Sequence, residues 1–405
     1  VGNHKEIDPK FIKNILTLRY TPQSQKLLPN LDFNDFTPNT IENLETNIET
    51  KIKNGIIRFV EKEKPNRISL ALSGGVDSIL ALVLFRELYP ELKINCISFG
   101  FSDNDIDVEQ AKEIARQNNA DFESVYFENF YNNLPKQISI VKEPKINYYW
   151  YFVAEKAKKY SNFIITGDGA DELLGGYVFR YKKYLSLVNT QSSWKDKVIG
   201  YLNCHNRDWV DDQDKMFGQK ANFSWDEIYE LLRNYFDNQL GLLDQVFLAD
   251  YHGKLMNDWI TSYSRIYSHI GIKGFSPFLD DNVIQFASHI SSSKKYDVQK
   301  NIGKLPLREI IDKKGFHVDS NKRGFSPDWY TFWNLYGKKI VLQYLSADAN
   351  IVKDNWINYK WIQSSISKAN DQDIRYINKL LHVTSFEIWY RLFITHELSE
   401  DDTLI

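Results

Sequence analysis

The sequence predicts an α/β fold built on a doubly wound parallel sheet, followed by a largely helical C-terminal region. Three observations predict it. Short apolar runs alternate with helical runs between residues 67 and 169, and glycine-rich loops close two of those apolar runs. From about residue 178 onward, strand-like alternation gives way to long aromatic helical segments.

The elements follow in order. Ile41, Leu44, Ile48, Ile52 and Ile56 recur at three- and four-residue spacing within 38–62, which makes one face of a helix that ends near Pro65. "RISLALS" (67–73) reads as a strand and "SILALVLFRELY" (78–89) as a helix. "KINCISFGF" then reads as a strand, "DVEQAKEIARQNN" as a helix and "DFESVYF" as a strand. A helical "YYWYFVAEKAKKY" leads into the short strand of "NFIITGDG". Near the end, "VTSFEIWYRLFITHEL" (383–398) is helical. The chain has neither an internal repeat nor a low-complexity linker, so the two regions are expected to pack closely.

Composition narrows the function classes. The chain has 405 residues, 43% hydrophobic and 25% charged, the profile of a soluble enzyme with a sizeable core. Aromatic residues reach 15%, which suits large helix contacts or a broad cleft. A net charge of −3 argues against a nucleic-acid partner, because phosphate neutralisation needs a concentrated basic face, and "RYKKYL" (180–185) reads as a solvated helix face. Cys96 and Cys204 form no C-x-x-C pair, which speaks for a reducing compartment. No apolar run has membrane-spanning length and the first residues carry no signal-peptide pattern, so the expected location is the cytoplasm, with no membrane partner.

Two loops carry the chemistry. In "LALSGGVDSILALVLF" (70–85) a Gly-Gly turn joins a strand to a helix, so backbone N–H groups and the positive helix end can meet an anion. The lysine of a P-loop is absent; Asp77, flanked by Ser73 and Ser78, stands where a carboxylate could hold Mg2+ on phosphates. "IITGDGADELLGGY" (164–177) again ends a strand with glycines and acids. If both strands flank the point where strand order reverses, both loops face one crevice, and Asp168, Asp171 and Glu172 join Asp77 around one nucleotide. The same acids alone could equally be a helix N-terminus with its acidic first turn.

Together the two motifs resemble the synthetase domain of the asparagine synthetase B family, a branch of the N-type ATP pyrophosphatases. "LSGGVDS" is similar to that family's PP-loop and "GDGADELLGGYVFRY" to its S-G-[ED]-G-x-D-E-x-x-G-G-Y segment. "SPFLDDNVIQFA", "GKLPLREII", "KRGFSPDW" and "FEIWYRLF" resemble further family elements in the same order, so the likeness covers about residues 38–405. It implies a sheet of the PP-loop (adenine nucleotide alpha hydrolase-like) type, with an ATP-binding α/β region at 38–180 and a helical part at 181–405. "LTLRYTPQSQKLLPNL" (16–31) resembles the last segment of the glutaminase domain that precedes the synthetase in full-length relatives, so 1–37 is expected to be a remnant of it, or else an unrelated arm packed on the sheet. Such glutaminases start with a cysteine; this chain starts with Val1 and has none before Cys96.

The resemblance implies an ATP-dependent, AMP- and pyrophosphate-forming amide ligase. A small-molecule carboxylate, with aspartate the leading case, is adenylated, and ammonia, free or from a separate glutaminase partner, displaces AMP. Ser73, Gly74, Gly75 and Ser78 would hold the β- and γ-phosphates, Asp77 and Asp171 Mg2+, and Ala71 and Phe99 adenine. Gly167 and Asp168 would lie beside the ribose and acyl-adenylate, with Asp168 positioning the amine or accepting its proton. Lys304 would neutralise charge at the α-phosphate and Lys322 at pyrophosphate.

The match breaks before P-F-L-D, where relatives read D-R-x-S-M-x-x-S-x-E-x-R. Here Ser264, Lys273 and Phe275 replace the Asp, the Glu and the Arg: either a compensated change in packing between the two regions, or a different acceptor pocket, which puts aspartate in question because arginine often reads a carboxylate. A different acceptor, such as a sugar uronate, or intramolecular amide closure would keep the chemistry. tRNA modification by a PP-loop enzyme lacks its cysteine pair and basic face, and intact phosphate and acidic motifs argue against a non-catalytic subunit.

Overall fold

The computed structural model describes residues 7–100, 106–126, 129–146, 149–205, 209–318 and 328–404. Its centre is a five-stranded sheet, all parallel, in the order β3-β2-β1-β4-β5. These strands are β1 (Arg67–Ala71), β2 (Lys93–Gly100), β3 (Asp121–Tyr126), β4 (Phe163–Ile165) and β5 (Lys273–Phe275). The first four lie within the expected runs. The fifth, from the region read as helical, was not foreseen: three residues with lysine at an edge are too short for an alternating pattern.

Alternation along the strands sends side chains to two cores, one on each sheet face. Ile68, Leu70, Ile94, Cys96 and Ile165 join one cluster, whereas Ile97, Phe99 and Ile164 join the other. The helix α1 (Pro9–Leu18) packs into the second cluster through Ile12, Ile15 and Leu16. The first core is covered by α2 (Leu44–Glu63), whose Ile48, Ile52 and Ile56 are fully buried, and by α3 (Val76–Leu88). Every residue of α3 from Val76 to Phe85 is buried, as an all-round apolar helix requires, with α2 and the helix Leu305–Lys313 packed on it. The long helix Ile374–Phe393 lies in the second core.

The N-terminal segment packs on this helical layer. Lys379 Nζ donates to Leu16 O at 2.8 Å, Gln213 donates to Thr17 at 2.6 Å, and Tyr251 donates to Pro29 O at 2.8 Å. Both cysteines are buried and unbridged. Among the described residues, no helix is long and apolar enough to cross a membrane.

Strand order reverses between β1 and β4, which pair directly through Ser69–Ile164 and Leu70–Ile165. That is the topological switch point at which ligands bind such sheets.

Candidate active site

Both glycine-rich loops leave the sheet at that switch point. The first is the turn from β1 to α3, and it is tied by its own hydroxyls: Ser78 Oγ lies 3.1 Å from Ser73 Oγ, donates towards Ser73 O (3.0 Å) and accepts from Ser73 N (3.0 Å). Gly75 N donates to Ser73 Oγ at 3.2 Å. The helix starts at Val76, two residues earlier than the apolar run suggested, because Gly75 takes the extended N-cap conformation. Asp77 therefore sits in the first turn, beside N–H groups that have no acceptor within the helix.

The second loop follows β4. A Cβ on Gly167 would lie 2.8 Å from Asp77 Cβ and 3.3 Å from Ser78 N, so the two loops touch and only glycine fits between them. Asp168 is held from both sides: Thr166 donates its hydroxyl to Oδ2 at 2.7 Å, and Ser276, at the head of "SPFLD", donates to the Asp168 carbonyl at 2.7 Å. Burial, reinforced by Asp171 and Asp77 and only partly opposed by the Thr166 hydroxyl, pushes the Asp168 carboxyl up to about 6. The last acid of the "PFLD" stretch, Asp280, caps the next helix and pairs with Arg58 at 2.7 Å.

Lys304 joins the loops from a distant part of the chain. The short antiparallel strands Tyr296–Asp297 and Ile302–Gly303 present it in the left-handed conformation (φ 57°), at the N-cap of the helix Leu305–Lys313. Its buried ammonium bridges the Asp77 and Asp171 carboxylates, the latter at 2.5 Å. Burial works against the charge, but the attraction of Asp171 and Asp77 prevails and holds the lysine well above its usual range. A Cβ on Gly176 would lie 1.7 Å from Asp171 Oδ1 and 2.3 Å from Lys304 Cε, so this bridge requires glycine. Gly176→Ala is accordingly expected to cost about 1–3 kcal/mol through overpacking, read as a lower denaturant midpoint. An unchanged midpoint would show that the bridge can part freely.

These groups line one cleft of about 660 Å3. Ala71, Ser73, Gly75, Asp77, Ser78, Phe99, Gly167, Asp168, Asp171 and Lys304 all face it. Gly74 does not: a Cβ there would meet Gln110 Oε1 at 2.6 Å. Lys322 lies outside the described residues. Among the described residues, no three His, Cys, Asp or Glu side chains form a metal cage. The Asp77 and Asp171 carboxylates instead converge on the Lys304 ammonium, and together they are a partial oxygen set that could hold a divalent cation if substrate phosphates and water supplied the rest.

A family model described as asparagine synthase matches residues 64–391. The chain belongs to the asparagine synthase family. Among curated proteins it is 28% identical over 363 residues to asparagine synthetase [glutamine-hydrolyzing] 1 of Bacillus subtilis, covering 80% of this chain and 56% of that protein. It is 23% identical over 367 residues to a putative asparagine synthetase [glutamine-hydrolyzing] of Mycobacterium bovis, covering 81% and 55%. The chain thus spans about half the length of these relatives. A solved NH3-dependent NAD synthetase from Campylobacter jejuni matches 53% of this chain and 95% of its own at 18% identity, with a TM-score of 0.27, too loose a superposition to bear on the fold.

Other cleft residues gave no sequence signal. Lys254 and Trp259 come from a ten-residue π-helix, Tyr251–Ile260, an irregularity that functional sites favour but that no residue pattern announces. Glu172, by contrast, was among the acids expected around the nucleotide, and it lines the cleft: it accepts the Tyr177 hydroxyl, and burial first, then Asp171, pushes its carboxyl up to about 7. The three departures from the family pattern lie off the cleft. Ser264 donates to Thr261 O at 2.9 Å, exposed Lys273 pairs with Glu63 at 2.7 Å, and Phe275 stacks on Phe59 at 4.3 Å in the core.

Proposed function

We propose that this chain catalyses ATP-dependent amide formation: it adenylates a carboxylate, releasing pyrophosphate, and passes the acyl group to ammonia with loss of AMP. Aspartate is the leading acceptor. The observation that carries the reading is the convergence of both loops and Lys304 on one cleft at the switch point.

The residues divide the work by position. The N-terminus of α3, with Ser73, Gly75 and Ser78, holds the β- and γ-phosphates that leave as pyrophosphate. Mg2+ held by Asp77 and Asp171 would neutralise the charge of that leaving group. Lys304, exchanging its carboxylates for phosphate oxygens, stabilises charge at the α-phosphate as the acceptor oxygen bonds to phosphorus and the bond to pyrophosphate breaks. Ala71 and Phe99 would flank the adenine, and Gly167, which lines the same cleft, would lie beside the ribose. In the second half, ammonia bonds to the acyl carbon, AMP departs, and Asp168 takes the surplus proton. Lys322 is assigned to pyrophosphate on the resemblance of "KRGFSPDW" alone.

The off-cleft placement of Ser264, Lys273 and Phe275 supports keeping aspartate first, because the sequence objection concerned those positions. The ammonia source is proposed to be free ammonium or a separate glutaminase. The test is incubation with Mg-ATP, ammonium and a panel of carboxylates headed by aspartate, with AMP, pyrophosphate and amide followed by mass spectrometry. AMP and asparagine together are the expected result. Release of AMP with another acid would move the acceptor, and no AMP with any acid, with or without a glutaminase, would sink the reading.

A further inference from the structure

The reaction as assigned leaves one atom unattended. When ammonia adds to the acyl carbon, an electron pair of the carbonyl moves onto the acyl oxygen, and neither Lys304 at the α-phosphate nor Asp168 at the amine answers that charge. Tyr263 brings a donor to the same cleft. The residue is only 8% exposed, and among the described residues its hydroxyl makes no hydrogen bond. Unlike the hydroxyl of Tyr184, which is sealed in the interior, this one opens to the cleft. A buried tyrosine ordinarily finds a partner for its O–H.

The surroundings fix where that hydroxyl stands. Tyr263 lies on the helix Thr261–Ile270, which leads through Gly271 and Ile272 into β5. Phe275 O of β5 accepts from Thr166 N at 2.9 Å, and Ser276 holds the Asp168 carbonyl, so the strand ties this helix to the Asp168 loop. Asp168 lies within electrostatic range of the tyrosine. The ring itself is clamped: Trp150 stacks on it at 4.9 Å and Trp259 flanks it at 5.8 Å, and both line the cleft. Trp150 is pinned in turn, its Nε1 donating to the Tyr267 hydroxyl at 2.9 Å. A phenyl ring would fill this stack as well as a phenol, so packing accounts for the ring and leaves the hydroxyl unexplained. Burial first, then Asp168, holds that hydroxyl well above its usual range, which keeps it a donor at neutral pH.

We propose that the Tyr263 hydroxyl donates to the acyl oxygen of the acyl-adenylate, stabilising the charge that gathers there as ammonia adds, before the carbonyl re-forms and AMP leaves. The proposal rests on the ligase reading and adds a catalytic donor to its second half. The surplus proton of the amine still goes to Asp168, and Tyr263 keeps its own. The role holds for any acceptor, because every acyl-adenylate carries this oxygen.

The test compares the full chain with Tyr263→Phe, which keeps the ring stack, on two probes: acetylsulfamoyl adenosine, which carries an acyl oxygen, and sulfamoyl adenosine, which lacks it. In calorimetric titration the variant is expected to lose about tenfold in affinity for the acetylated probe and nothing for the other. With the acid that yields AMP, its amide formation should fall at least about tenfold further than its pyrophosphate–ATP exchange. An acetylated probe bound equally by both proteins, or equal losses in the two half-reactions, would overturn the assignment. AMP release by the wild type reports separately on the ligase: a loss of affinity confined to the acetylated probe, in a protein that releases AMP with no acid, keeps the hydroxyl's contact and removes the amide-forming reading.

Discussion

Asp77→Asn is expected to lower pyrophosphate–ATP exchange at least about a thousandfold while leaving the fold intact. Asparagine keeps the volume and one oxygen, so neither the turn from β1 to α3 nor the contact with Gly167 need change. What goes is charge. The first-turn carboxylate is half of the pair that faces Lys304, and on the proposed reading the one remaining acid, Asp171, would hold a divalent ion on phosphates poorly. A smaller cost should accompany this loss, because buried Lys304 keeps one carboxylate instead of two, and an under-compensated buried charge destabilises by about 1–3 kcal/mol. Exchange kinetics and thermal melting separate the two effects. Near-wild-type exchange would remove Asp77 from the metal and phosphate chemistry, whereas a collapsed melting transition would make its role structural.

The sequence exposed this part of the site for a physical reason. A turn that must let backbone reach an anion is written in glycine, and the acids beside it lie within a few residues, so "SGGVDS" and "GDGADE" are local in the chain as well as in space. Four strands were equally legible because each sets apolar residues on both sheet faces, although in β3 these, Phe122 and Val125, are only partly buried against the two cores. The rest depends on contacts between distant segments. β5 has only three residues and takes its place from pairing with β4. Gly176 looks like any helix-ending glycine until Asp171 and Lys304 are seen on either side of it. Lys254 and Arg19 lie 235 positions apart and become neighbours only when α1 docks on the helical layer. Phe275 errs in the other direction: its place beside "PFLD" suggested the acceptor pocket, and its ring is stacked on α2.

Asp168→Asn is expected to slow amide formation by at least about a hundredfold and, in the same molecule, to raise stability at neutral pH. Both effects come from one cause. The carboxyl is walled in beside Asp171 and Asp77 and is pushed up to about 6, which suits a group that must take a proton from an amine near pH 7. Between the unfolded carboxylate's pKa of about 4 and that raised value, the folded chain binds more protons than the unfolded one, so the stability derived from this group falls as pH rises through the window. Above it the full cost of the buried charge is present. The asparagine variant avoids that cost and can still accept from Thr166, so its gain should be on the order of 1–2 kcal/mol at pH 7.5 and vanish near pH 4. Melting curves of both proteins without ligand, taken between pH 4 and 8, should diverge with rising pH. Parallel curves would mean that Asp168 is ordinarily ionised, and the proton would then have to leave the amine by another route. A variant that is more stable yet unable to complete the amide, while still exchanging pyrophosphate, would tie the strain at this carboxylate to the second half-reaction rather than the first.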